Sequence, residues 1–289
     1  MSAGLGATDA GTLIDAAVKR LAPAGIESPR REARLLLGHV LEADPGRFTA
    51  WPETACSDEQ RAYFEALVER RAAREPLSHL TGVREFWSLD FHVTADVLDP
   101  RPDSETLVAE ALNRLPGREA APRILDIGTG SGCLLLAVLS ERPNASGLGI
   151  DISPAALEIA RRNAAHLGLA ARAQFQQSDW LKTVTGRFDL ILCNPPYIPD
   201  AEIETLQPEV RDFEPRLALG GGPDGLAPYK NLIPELPEYL APDGVALFEL
   251  GVGQASVIAE IAIQCGVETL AQIEDLSGRT RCLAFGIRG

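Results

Sequence analysis

Asn194-Pro195-Pro196-Tyr197 brings together groups that can hold a flat nitrogen centre. It follows the apolar run Phe188-Asp189-Leu190-Ile191-Leu192-Cys193, entered from Gly186 and stopped by two prolines. That is the pattern of a buried strand with an abrupt end. Open α/β sheets bind ligands at the carboxyl edge of their strands, where an Asn offers both a side-chain carbonyl and an amide. The prolines fix φ, and Pro196 has no N–H to compete for the carbonyl of Pro195. Asn194 Oδ1 and the Pro195 carbonyl could therefore accept both N–H bonds of one planar amide or amino group, with Tyr197 as an aromatic wall. Such a clamp suits chemistry in which a weakly nucleophilic nitrogen must be oriented and its lone pair freed. An ordinary proline turn at a strand end would carry the same four residues, so the tetrapeptide needs support from elsewhere in the chain.

That support lies upstream. Arg123-Ile124-Leu125-Asp126-Ile127 reads as a strand running into Gly128-Thr129-Gly130-Ser131-Gly132 and then into the helical Cys133 to Leu139. A strand, a glycine loop and a helix form a nucleotide-binding turn in which the glycines admit close backbone approach. The spacing is G-x-G-x-G, with Cys133 in the place of the last glycine of the dinucleotide fingerprint, and no Lys-Ser/Thr pair marks a phosphate loop. The next strand, Gly147 to Ile150, ends in Asp151, placed to accept hydrogen bonds from two ribose hydroxyls. Ribose recognition without pyrophosphate features fits S-adenosylmethionine better than NAD. A third strand, Gln174 to Gln177, delivers Ser178, Asp179 and Trp180 to the same edge. Asp179 could receive an adenine amino group and Trp180 could cover the purine, although an indole there serves equally as a core aromatic. Strand ends in the order Asp126, Asp151, Asp179, Asn194 make one βαβ progression.

The elements around these residues divide the 289-residue chain into about two domains. Residues 1–75 read as an all-helical N-terminal domain. Thr12 to Leu21 is one helix, Ser28-Pro29 opens a second with the stripe Ala33, Leu36, Leu37, Val40, Leu41, and Ser57 with Gln60 forms a capping box for a third. Arg70, Arg71 and Arg74 fall in its last turns, where a solvated helix end is the expectation. Residues 76–103 read as a linker with a β-hairpin over Gly82–Val93 and a rigid proline segment, and residues 104–289 as the catalytic domain. Asp103 or Ser104 should cap the helix Thr106 to Leu115. Gly220 to Gly225 reads as a mobile loop.

Composition narrows the function further. Net charge is −14, with ten basic and twelve acidic side chains in the first eighty residues against seventeen and twenty-nine in the rest. An acidic catalytic half argues against a nucleic-acid substrate, whose phosphates need a basic face, and suits a cationic sulfonium or a basic protein partner. Five cysteines without C-x-x-C spacing and four scattered histidines indicate no metal site and a reducing, cytoplasmic setting. Neither a leader over Met1 to Gly11 nor an apolar stretch of membrane-spanning length is evident.

From about Pro76 onward the chain resembles the protein-(glutamine-N5) methyltransferases of peptide chain release factors, the PrmC/HemK family. The resemblance rests on Leu80-Thr81-Gly82, Arg84-Glu85-Phe86-Trp87, Pro100-Arg101-Pro102-Asp103-Ser104-Glu105, Ile124 to Gly132, Asn194 to Ile198 and Phe213-Glu214-Pro215. Asp99, where many relatives are apolar, and Ser104, often Thr, depart from the pattern. The resemblance implies a seven-stranded, Rossmann-like class I methyltransferase sheet behind a helical domain that contacts class 1 release factors. It also implies that Gly128, Thr129, Gly130, Ser131, Gly132, Asp151, Asp179, Trp180 and Asn194 bind S-adenosylmethionine, with S-adenosylhomocysteine as product. Asn194, Pro195, Pro196 and Tyr197 would hold the glutamine of a Gly-Gly-Gln loop, with Asn194, Pro195 and Tyr197 catalytic, in a cytoplasmic monomer that contacts no nucleic acid directly. Because the tetrapeptide suits any planar nitrogen, an adenine-N6 or cytosine-N4 nucleic-acid methyltransferase is the alternative, and a silent cofactor-binding adaptor is a third reading.

Overall fold

A computed structural model describes residues 8–287, so the opening seven residues, read above for a leader, and the last two lie outside the described residues. The chain forms two compact units. One is Met1–Gly82 with Gln207–Phe213, and the other is Val83–Leu206 with Glu214–Gly289.

The first unit is built on α1 (Ala10–Leu21), α2 (Pro29–Leu41) and α3 (Asp58–Ala72). α1 begins ahead of Thr12 because Asp9 is its cap, accepting from Thr12 N at 2.7 Å. The capping box forms on α3: Gln60 N donates to Ser57 Oγ at 3.1 Å and Ser57 N donates to Gln60 Oε1 at 2.9 Å. Leu13, Ile14 and Ala17 of α1 meet Leu36 and Leu37 of α2 and Phe64 and Leu67 of α3 in one core. The basic end of α3 departs from the solvated expectation. Arg71 is only 6% exposed, lying between Glu32 at 2.5 Å and Glu209 at 3.0 Å, while Arg74 reaches Glu209 at 2.6 Å. Paired carboxylates offset the desolvation of a guanidinium. Glu209 lies 138 residues further along the chain, on Pro208–Phe213, which explains why helix periodicity gave no sign of it.

The second unit holds a seven-stranded sheet with strands β1 (Arg123–Ile127), β2 (Ser146–Asp151), β3 (Ala173–Gln177), β4 (Phe188–Cys193), β5 (Leu240–Glu249), β6 (Val267–Glu274) and β7 (Thr280–Ile287). Their spatial order is β6-β7-β5-β4-β1-β2-β3. β5, β4, β1, β2 and β3 pair in parallel, and β7 runs antiparallel to both β5 and β6. Helices α4 (Glu105–Arg114), α5 (Cys133–Glu141) and α6 (Pro154–His166) connect or cover the parallel strands. The near-continuous apolar runs of β1 and β4 follow from burial on both faces, with Leu125, Ile127, Ile191 and Cys193 in one cluster and Ile124, Leu190 and Leu192 in another. This is the seven-stranded α/β sheet that the resemblance implied.

Two local readings change. The hairpin Val83–Phe86 and Leu89–His92 is part of the second unit: Phe86 and Phe91 are in its core, and His92 N donates to Asn163 Oδ1 at 2.8 Å. Ser104 precedes α4 but makes no side-chain cap, because its hydroxyl points to Glu249 instead. Among the described residues no helix is long and apolar enough to cross a membrane.

Candidate active site

The carboxyl ends of β1, β2, β3 and β4 open onto a cavity of about 440 Å³. β1 contributes Ile127 and the start of the glycine loop, β2 contributes Ile150 and Asp151, and the turn after β3 contributes Ser178, Asp179 and Trp180. Asn194, Pro195 and Pro196 follow β4 into the same space. The parallel register makes this juxtaposition unavoidable, because Ile127 pairs with both Ile150 and Cys193, so the residues just beyond them emerge together.

Gly128 and Gly130 also line the cavity, with φ of +70° and +54°. A Cβ on either would meet nothing within 4 Å, so the space over this backbone is free for a ligand. Asp151 is held in one orientation: its Oδ2 accepts from Gly130 N and its Oδ1 from Ser153 N, each at 2.9 Å. Each oxygen keeps a lone pair for a hydroxyl donor. Beneath the loop, Asp126 is buried, with Oδ2 accepting from Thr129 Oγ1 at 2.6 Å and Oδ1 lacking a partner. Burial lifts this carboxyl to about 7, against the pull of the Thr129 hydroxyl. Cys133, at the head of α5, is pushed up to about 12 by burial and is no nucleophile at neutral pH.

Asn194 is fixed by its own amide. Nδ2 donates to Ser104 Oγ at 3.2 Å, which turns Oδ1 away from Ser104. Ser104 Oγ in turn donates to Glu249 Oε2 at 2.5 Å. Burial raises the Glu249 carboxyl above the ordinary range, although the Ser104 hydroxyl and the Arg281 guanidinium pull the other way.

Several residues singled out from the sequence stand elsewhere. Thr129 and Ser131 are buried under the loop, and Gly132 serves packing, since a Cβ there would come within 3.1 Å of Leu136 and 3.3 Å of Ala160. Tyr197 is not part of the cavity lining. Its ring packs against the core, with the Arg281 guanidinium 5.8 Å from its centroid and its hydroxyl 3.5 Å from Glu249 Oε1. Trp180 both lines the cavity and packs against the core.

The loop Gly220 to Gly225, read from its glycines as mobile, is tied down by backbone hydrogen bonds. Gly221 N donates to the Ile198 carbonyl at 2.8 Å, Asp200 N to the Gly222 carbonyl at 3.0 Å, and Ala227 N to the Gly221 carbonyl at 3.0 Å where helix α7 (Ala227–Leu232) begins. Gly220, Gly221 and Gly222 thereby form a wall of the cavity, with Pro215 and Leu217 nearby. Asp96, Val97 and Leu98 line it as well, ahead of the proline segment. Nothing in their types marks them as lining; the only available hint for Pro215 was its place in Phe213-Glu214-Pro215. Arg101, from the Pro-Arg-Pro segment, bonds Glu214 through both carboxylate oxygens at 2.5 and 2.6 Å, joining the two motifs.

Comparison with known proteins agrees with this architecture. Residues 12–82 match the family model for the PrmC N-terminal domain, and residues 119–272 match a methyltransferase domain model. The release factor glutamine methyltransferase of Rhodospirillum rubrum is 50% identical over 273 residues, spanning 94% of this chain and 83% of that protein. The release factor glutamine methyltransferase of Agrobacterium fabrum is 41% identical over 288 residues, spanning 99% of each. A solved methyltransferase structure from Pyrococcus furiosus shares the fold at a TM-score of 0.52 and 20% identity, over 76% of this chain and 96% of that one. With likeness extending across both units, the chain is a methyltransferase enzyme and belongs to the release factor glutamine methyltransferase family.

Proposed function

We propose that this enzyme transfers the methyl group of S-adenosylmethionine to the side-chain amide nitrogen of the glutamine in the Gly-Gly-Gln loop of class 1 peptide chain release factors. One observation carries the reading: the open backbone at Gly128 and Gly130, the oriented carboxylate of Asp151, and the residues Asn194 and Pro195 line one cavity. Gly128, Gly130, Asp151, Asp179 and Trp180 would hold the cofactor, which when bound supplies an electrophilic sulfonium methyl.

A carboxamide nitrogen is a poor nucleophile because its lone pair is delocalised into the carbonyl. Asn194 Oδ1 and the Pro195 carbonyl accept its two N–H bonds, favour pyramidalisation and point the freed lone pair away from the clamp. Holding reactants in an aligned pose is worth up to roughly 7–11 kcal/mol of barrier. Acceptors placed where positive charge grows on nitrogen add a few kcal/mol more. No strong base is required, since a methylated amide nitrogen sheds its extra proton readily.

The test is incubation with labelled S-adenosylmethionine and three acceptors: intact release factor, its Gln→Ala loop variant, and DNA or RNA. Label should enter the intact release factor alone, and Asn194→Ala should cut the rate by about 10²–10³ while still binding cofactor. Label in nucleic acid, or in the loop variant, rejects the assignment.

A further inference from the structure

Asn194 can act as an acceptor toward substrate only if its carboxamide is held one way round, because a flipped amide presents N–H where a carbonyl is needed. We infer that Ser104 and Glu249 are the positioning residues that fix this choice, through the relay Glu249 Oε2, Ser104 Oγ, Asn194 Nδ2. The inference rests on the clamp role proposed for Asn194 and identifies what enforces it.

With Glu249 ionised, the relay has one consistent hydrogen pattern. Glu249 lies at the end of β5 and is wholly buried. Its Oε1 accepts from the Tyr197 hydroxyl at 3.5 Å and lies 3.9 Å from Arg281 Nη2, whose positive charge favours the ionised carboxylate. Its Oε2 takes the single hydroxyl proton of Ser104 at 2.5 Å. Ser104 Oγ then has only lone pairs to offer, and the group it meets at 3.2 Å must be a donor. Nδ2 of Asn194 satisfies that demand, whereas Oδ1 in its place would set two acceptors against each other. Polarity thus passes from a buried charge, through one hydroxyl, to the orientation of the clamp. Ser104 is itself only 2% exposed, so water does not substitute for it. Arg281 steadies the arrangement from the far side, donating to Asp103 Oδ2 at 3.0 Å and to the Leu250 carbonyl at 3.2 Å. This accounts for a serine that precedes a helix without capping it and for a carboxylate buried in a sheet.

The proposal is tested on the full chain by two measurements. In ¹⁵N-labelled protein with S-adenosylhomocysteine bound, the side-chain amide resonances of Asn194, assigned by their loss in Asn194→Ala, should show slowed hydrogen exchange. Ser104→Ala should abolish that protection, Glu249→Gln should reduce it, and Ser104→Thr, which restores the hydroxyl, should recover it. In the methyl-transfer assay Ser104→Ala should lower kcat by about ten- to hundredfold, as expected for a misplaced reacting group. Cofactor affinity should be unmoved and Thr should rescue the rate, while the thermal midpoint of Ser104→Ala should fall, because the buried Glu249 carboxylate loses its donor. Unchanged protection in Ser104→Ala overturns the relay, as does a rate loss matched by lost cofactor affinity. Should wild-type protein leave release factor unlabelled, the proposed substrate fails, while the exchange measurement still decides the relay.

Discussion

At the scale of single residues, the site depends on polar groups whose surroundings commit them to one state. Asp126 carries the clearest pH signature. Its carboxyl sits at about 7 in the folded protein against an ordinary 3.8, because burial penalises the charge. A raised folded value means that the native state binds the proton more tightly than the unfolded chain does. The resulting stability is full below the unfolded value and is lost as pH rises through about 7. Asp126→Asn removes that loss. Relative to wild type, the variant should gain stability on the order of a few kcal/mol between about pH 5 and about pH 8, read from urea unfolding at both values. A difference that stays constant with pH would show that the Asp126 carboxyl does not titrate in this range.

At the scale of elements, the segment Pro208–Phe213 is the least expected. It leaves the methyltransferase unit after Leu206, joins the helical unit, and returns at Glu214. Glu209 holds it there by accepting from Arg71 and Arg74. Glu209→Ala removes one of the two carboxylates that pair with an almost wholly buried guanidinium, leaving Glu32, and should cost the helical unit about 1–3 kcal/mol in chemical denaturation. Glu69→Ala, which breaks an exposed pair with Arg20, serves as the comparison and should leave the midpoint nearly in place. Equal effects from the two variants would mean that the buried cluster has no special weight. The Gly220–Gly222 wall belongs to this scale as well: backbone hydrogen bonds to Ile198 and Asp200 convert a glycine-rich stretch into an ordered side of the cavity.

At the scale of the whole molecule, every group assigned to cofactor and clamp belongs to the second unit, while the first supplies a separate helical core. Ligand binding should therefore add to the stability of the second unit by mass action. With S-adenosylhomocysteine at about a hundred times its Kd, the gain should be about 2.7 kcal/mol, visible as a raised calorimetric transition. NAD at the same concentration should produce no such shift. A shift with NAD and none with S-adenosylhomocysteine would reverse the cofactor assignment.

The sequence by itself determined the elements and the strand-end chemistry. Proline, glycine and hydrophobic period act locally, so Asn194 to Pro196 at the end of β4, the glycine loop at Gly128 and Gly130, the Ser57–Gln60 box and the βαβ progression were all legible, while the count of seven strands came from the family resemblance. Tertiary structure alone decided which side chains meet across long stretches of chain. Ser104 and Glu249 are 145 residues apart, and Arg71 and Glu209 138 apart. A serine ahead of a helix carries the same local signal whether it caps the helix or turns to a buried carboxylate, and only the closing of the sheet brings that carboxylate within reach. Tyr197 shows the same limit: its place after the clamp gives no sign of the core contacts its ring makes, nor of the Arg281 guanidinium and Glu249 carboxylate beside it.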